Sequence, residues 1–150
     1  MHFRSIAALA LLLLATSSAF AAQTPDGIPI GSGPGGVPFG AGTQRGLQGM
    51  NNSGQNGFVT LFDRGARTAV VVAIEGANGR RERTLIERGR SCDDYSRFRV
   101  LARLNDVEAG FSRGYVPVSL KSLMSGNYVV VVYGNRTIFS RPVACGELYN

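Results

Sequence analysis

Tyr128-Val129-Val130-Val131-Val132-Tyr133, the run YVVVVY, decides the fold class. Four consecutive β-branched side chains are stiff at χ1 and suit a pleated sheet better than a helix. The run has strand length, and Gly126-Asn127 before it and Gly134-Asn135 after it are turn dipeptides. Working downstream, Thr137 to Ser140 reads as a returning strand and Val143 to Leu148 as the last one. Upstream, Ser119 can cap one turn of helix that turns Leu120, Leu123 and Met124 inward. Gly114 to Val118 is a strand whose Pro117 lacks an N–H, which confines it to an edge or a bulge. Arg97 to Leu104 alternates, with Phe98, Val100, Ala102 and Leu104 on one side and Arg97, Arg99 and Arg103 on the other, the pattern of a half-solvated antiparallel strand. Thr68 to Ile74 and Arg81 to Glu87 flank Asn78-Gly79, a strong hairpin signal. Phe58 to Phe62 adds one more strand. The expectation is an all-β domain, a Greek-key sandwich of seven or eight short antiparallel strands.

The N-terminus points to export. Met1-His2-Phe3-Arg4 is a short basic region, Ile6 to Leu14 is an unbroken apolar run, and Ala19-Phe20-Ala21 fits small-x-small cleavage. The run is shorter than the roughly 20 residues that span a bilayer. Residues 1–21 are therefore read as a signal peptide, cleaved after Ala21 or after Ala22. The expected destination is the periplasm or the extracellular space, with no integral membrane segment left after cleavage. Residues 22–57 are rich in Gly, Pro, Ser, Asn and Gln and poor in large apolar groups. Such a composition does not offset backbone entropy, so this stretch is expected to be a disordered linker, and 58–150 the folded domain. GSGPGG within it is not followed by the Gly-Lys-Ser/Thr of a phosphate-binding loop.

Composition excludes several chemistries. The chain has one histidine, His2, which leaves with the signal peptide. Without imidazole there is no Ser-His-Asp or Cys-His machinery, and the common catalytic zinc and copper sites lose their usual ligand. Asp93-Asp94 lacks further ligand spacing for calcium, and Glu75, Glu87 and Glu147 are scattered. No catalytic residue, metal site or cofactor is expected. Cys92 and Cys145 are the only cysteines, and in an oxidising compartment they should pair. The mature chain is basic, and all but one of its basic residues are arginine. Arg80, Arg81 and Arg83, near Arg88 and Arg90, form the densest cluster, and Arg97, Arg99 and Arg103 form a second row. Gathered on one side, they would bind a polyanion, an anionic envelope component or an acidic protein. Spread apart, they are a solvated rim that opposes edge-to-edge aggregation.

Three features together resemble the copper/zinc superoxide dismutase sandwich and its bacterial and chordin-type relatives. They are the Leu120…Leu123…Gly126-Asn127-Tyr128 entry into the valine strand, the closing Ala144-Cys145-Gly146, and Cys92 in the loop after Glu87-Arg88-Gly89. The resemblance covers about Thr68 to Leu148. It implies that Cys145 pins the last strand to the loop holding Cys92. The departures bear on function. Thr84 and Ile86 stand where the family carries its His-x-His copper ligands. Asp93-Asp94-Tyr95 replaces the bridging histidine, and Pro142 occupies the place of the active-site arginine, with Arg141 one residue out. The resemblance thus implies a non-enzymatic binding or structural module on a dismutase-like scaffold without its metal site. An electrostatic binder of anions and an enzyme of another kind are the alternatives.

Overall fold

The computed structural model describes residues 41–149 apart from Asn78, Arg80 and Ile138. Residues 1–21, expected to be a signal peptide, and most of the Gly-rich stretch lie outside the described residues. The chain forms strands β1 (Thr43–Gly49), β2 (Asn56–Arg64), β3 (Arg67–Glu75), β4 (Arg83–Ser91), β5 (Asp94–Arg103), β6 (Phe111–Val116), β7 (Tyr128–Tyr133) and β8 (Pro142–Glu147), with one short helix, α1 (Leu120–Ser125). The class is all-β and antiparallel, as the strand patterns imply. The eight strands connect through β1 into one curled, sandwich-like sheet in the order β5-β4-β7-β8-β1-β2-β3-β6.

β1 joins the two halves of that sheet. Thr43 to Leu47 pair with Leu61 to Gly57 of β2, while Gln48 and Gly49 pair with Cys145 and Ala144 of β8. The folded part therefore does not begin at Phe58. Thr43 to Gly57, expected as linker, contributes one whole strand and the start of another. The reason is local: Leu47 supplies a buried apolar group, and backbone pairing on both sides of β1 satisfies polar groups that the small, polar side chains leave over. At the far edges the sheet curls until β5 meets β6, where the Asn105 N–H donates to the Arg113 carbonyl at 2.9 Å.

The curl encloses Val59, Leu61, Val70, Val72, Ile86, Leu104, Val130, Val132 and Leu148, with Leu123 of α1 as a plug. Ser119 caps α1 by accepting from the Ser122 N–H, as its sequence suggests. A second, smaller cluster lies on the opposite face of β4, β7 and β8. It comprises Leu85, Val129, Val131, Tyr133 and Cys145, covered by Met50, Cys92 and Tyr95. This explains the unbroken valine run: β7 is buried on both faces, so neither face needs a polar side chain.

Two local expectations fail. Asn78-Gly79 does not close a hairpin, because β3 pairs with β2 and β6 while β4 pairs with β5 and β7. Gly79 has the positive φ of a turn, 75°, but both edges of β3 are already taken, so the chain crosses to another part of the sheet. Thr137 to Ser140 is not a strand: Gly134 to Arg141 is a loop between β7 and β8. Its Thr137 and Asn135 side chains accept from nearby backbone N–H groups, which favours turns over a ladder.

Candidate anion-binding surface and the buried carboxylates

β4 and β5 form a hairpin with Cys92-Asp93 at its tip, where the Ser91 hydroxyl accepts from the Asp94 N–H at 3.1 Å. The tip lies over the second cluster, and Cys92 is disulfide-bonded to Cys145 with their Cα atoms 5.8 Å apart. The pairing expected from export and from the resemblance is present. Gly89 permits the bend, since a Cβ there would fall 2.6 Å from the Asp94 carbonyl oxygen.

Register then slips. Arg88 faces Ser96, but its neighbour Glu87 faces Val100, so Arg97, Phe98 and Arg99 have no partner on β4. This bulge breaks the alternation read from the sequence. Phe98, expected inward, is 86 % exposed, and Val100 is exposed as well, while Ala102 and Leu104 do turn toward the core. The reason is the insertion of three residues on one strand, which re-aims every side chain between the slips.

The arginines separate into kinds. Arg97 is partly buried, its guanidinium 5.6 Å from the centre of the Tyr133 ring. Arg90 and Arg99 are exposed and have no ion-pair partner among the described residues. Arg88 is exposed over the Tyr128 ring. Arg81 pairs with Glu108 at 3.1 Å, and Asp106 bridges Arg103 and Arg136. Arg83 is partly buried, with its Nε lacking a partner. Arg80 lies outside the described residues. From Arg81 to Arg103 the chain holds seven arginines against four carboxylates. Two of those carboxylates, Glu82 and Glu87, are fully buried, so the surface of this hairpin is more positive than its composition.

Glu87 lies beneath the hairpin, accepting from the Tyr133 hydroxyl at 3.0 and 3.2 Å. Burial pushes its carboxyl above the ordinary range, while the Tyr133 hydrogen bond and the Arg97 charge pull the other way. Burial, reinforced by the Glu87 charge, pushes the Tyr133 hydroxyl well above its ordinary value. Tyr133 therefore remains a donor across the accessible pH range, and it holds Glu87 in place.

Glu82 was missed altogether at the level of sequence, where it is one acid among arginines. Gln55 Nε2 donates to its Oε1 at 2.7 Å. Its Oε2 and the Gln55 Oε1 are both buried without a partner. A proton on Oε2 would supply the donor that Gln55 Oε1 lacks, completing a two-bond acid–amide pair. Burial raises the Glu82 pKa, opposed by the Gln55 bond, which agrees with a neutral acid. A raised folded-state pKa means stability from this group that is present below the unfolded value and lost as pH rises through the folded one. Glu82→Gln keeps both hydrogen bonds with no titration. It is expected to match the parent in acid and to exceed it by about 1–3 kcal/mol above the folded pKa. Urea unfolding across pH checks this; a variant less stable than the parent at high pH contradicts the pairing.

Beside this pair, Ile74, Ala77, Val107, Ala109 and Gly110 line a recess of about 200 Å³, smaller than most small-molecule sites. Thr84 and Ile86, which the dismutase resemblance would align with copper ligands, are both fully buried, and Ile86 is part of the core. Neither side chain carries an imidazole, and the positions do not fit a copper site. Among the described residues no three His, Cys, Asp or Glu side chains gather as metal ligands. No helix among them is long and apolar enough to cross a membrane. No protein-family model matches this chain, and no match is found among the curated proteins or the solved structures.

Proposed function

We propose that this chain is exported to the periplasm or the cell exterior and acts there as a non-enzymatic binding module, on a dismutase-like scaffold lacking the metal site. Its β4–β5 face engages an anionic envelope component or an acidic protein. The scaffold reading is supported by the Cys92–Cys145 bond and by the connectivity. β7 returns beside β4, and just past β5 the Asn105 N–H reaches the Arg113 carbonyl of β6, a connectivity compatible with a Greek key. The binding reading is carried by one observation: the hairpin exposes Arg88, Arg90 and Arg99, while Glu87 within it and Glu82 just before it are buried.

Such a surface draws anions over about a Debye length, roughly 8 Å at physiological salt. Heparin, as a generic polyanion, is expected to bind at low salt and to be released steeply as salt rises. Arg90→Glu with Arg99→Glu is expected to weaken binding about tenfold or more while shifting stability by less than about 0.5 kcal/mol, because exposed charges contribute little to folding. An affinity unchanged by the reversal, or insensitive to salt, makes these arginines a solubilising rim.

A further inference from the structure

We propose that Phe98 and Phe139 are a pair of insertion tips, and that the surface bearing them docks on an anionic lipid bilayer. This rests on the reading that the β4–β5 face meets anions, and it names the source of the charge. These two are the most exposed large apolar side chains among the described residues, at 86 % and 83 %. Both lie where the sheet ladder is broken. Phe98 is at the middle of the three-residue bulge of edge strand β5, and Phe139 is in the loop between β7 and β8. Neither packs into the two apolar clusters.

Other exposed aromatics differ in kind. Phe58 and Phe111 are about half exposed and lie in register across Ala73, within regularly paired strands. Regularly paired strands cannot enter a bilayer without carrying backbone with them; a bulge and a loop can.

Contacts of neighbouring residues link the two segments that carry the tips. Arg97 lies over the ring of Tyr133, the last residue of β7, from which the Phe139 loop departs. Asp106 ties Arg103 of β5 to Arg136 of that loop, and the Arg83 N–H donates to the Asn135 carbonyl at 3.1 Å. In sequence, arginines flank each tip: Arg97 and Arg99 beside Phe98, Arg136 and Arg141 on either side of Phe139. An aromatic ring set in guanidinium groups suits an anionic headgroup layer, with the ring below the headgroups and the cations among them. One inserted group holds weakly; two, with the basic field, act as combined signals. A soluble polyanion would need the arginines and gain nothing from the rings.

The test uses the signal-cleaved chain, phosphatidylglycerol/phosphatidylcholine vesicles, phosphatidylcholine vesicles, and heparin in parallel. The chain is expected to sediment with the anionic vesicles and not with the neutral ones. Phe98→Ser with Phe139→Ser is expected to weaken vesicle binding at least about tenfold, leaving heparin binding and the thermal midpoint unchanged. The chain has no tryptophan, so Phe98→Trp reports insertion alone: its emission should shift to the blue with anionic vesicles and stay unshifted with heparin. Vesicle binding that survives the loss of both rings, or a tryptophan that stays in water on bound vesicles, overturns the insertion and leaves anion binding standing. Heparin binding without vesicle binding also overturns it, in favour of a soluble polyanion or acidic protein. Failure of both probes overturns both readings.

Discussion

Cys92→Ser with Cys145→Ser is expected to lower stability by about 4 kcal/mol. The bond closes a loop with a sequence separation of 53 residues, and loop-closure entropy of that length corresponds to about 4 kcal/mol at 25 °C. In a domain of about 100 residues this depresses the midpoint of thermal unfolding by more than about 10 °C. The consequence is more than chain entropy. Cys92 and Tyr95 cover Leu85, Val129, Val131 and Tyr133, so a released hairpin tip also bares the second cluster and admits water to Glu87. Heparin affinity should fall along with stability, because the bulge bearing Arg97 and Arg99 loses its frame. Reduction of the native protein should reproduce both changes. A loss below about 1 kcal/mol would show that the hairpin holds to the sheet without the bond.

Gly57→Ala is expected to cost about 3 kcal/mol or more, placing it among the severe single substitutions. Gly57 pairs with Ile74 on β3 and with Leu47 on β1, and a Cβ at this position would overlap the carbonyl oxygen of Ala73. Relief requires moving the backbone of a central strand, which no side-chain rotation supplies. Gly46, one strand away, has open space around its missing Cβ, so Gly46→Ala is the matched control and should change little. The comparison also decides where the folded part begins: if residues up to 57 were linker, both substitutions would be neutral.

The fold class was legible because β-branched runs and turn dipeptides are local signals that survive any topology. Tyr128 to Tyr133 and Thr68 to Ile74 both became strands. Two kinds of feature were not legible. Thr43 to Gly49 carries only one large apolar side chain, Leu47, and becomes a strand because partners on both sides complete its hydrogen bonds; that information is in β2 and β8, not in β1. Arg97 to Leu104 alternates correctly in sequence, yet the bulge leaves Phe98 and Val100 exposed beside Arg99, because register is set by the Cys92 hairpin and not by the strand itself. For the candidate surface, the sequence supplied the arginines and the disulfide. It did not show that Glu82 and Glu87 withdraw from the surface, or that Phe98 and Phe139 project from it. Burial of an acid among arginines depends on Gln55 and Tyr133, which lie 27 and 46 residues away.

The central claim is about location, so mapping tests it most directly. Backbone amide resonances of residues 22–150, titrated with a short heparin oligosaccharide at low salt, should shift along Arg88 to Arg103 and in the loop from Gly134 to Arg141. The outward face of β2, β3 and β6, with Phe58, Val71 and Phe111, should stay still. Shifts confined to that face, or none at saturating ligand, would contradict the account.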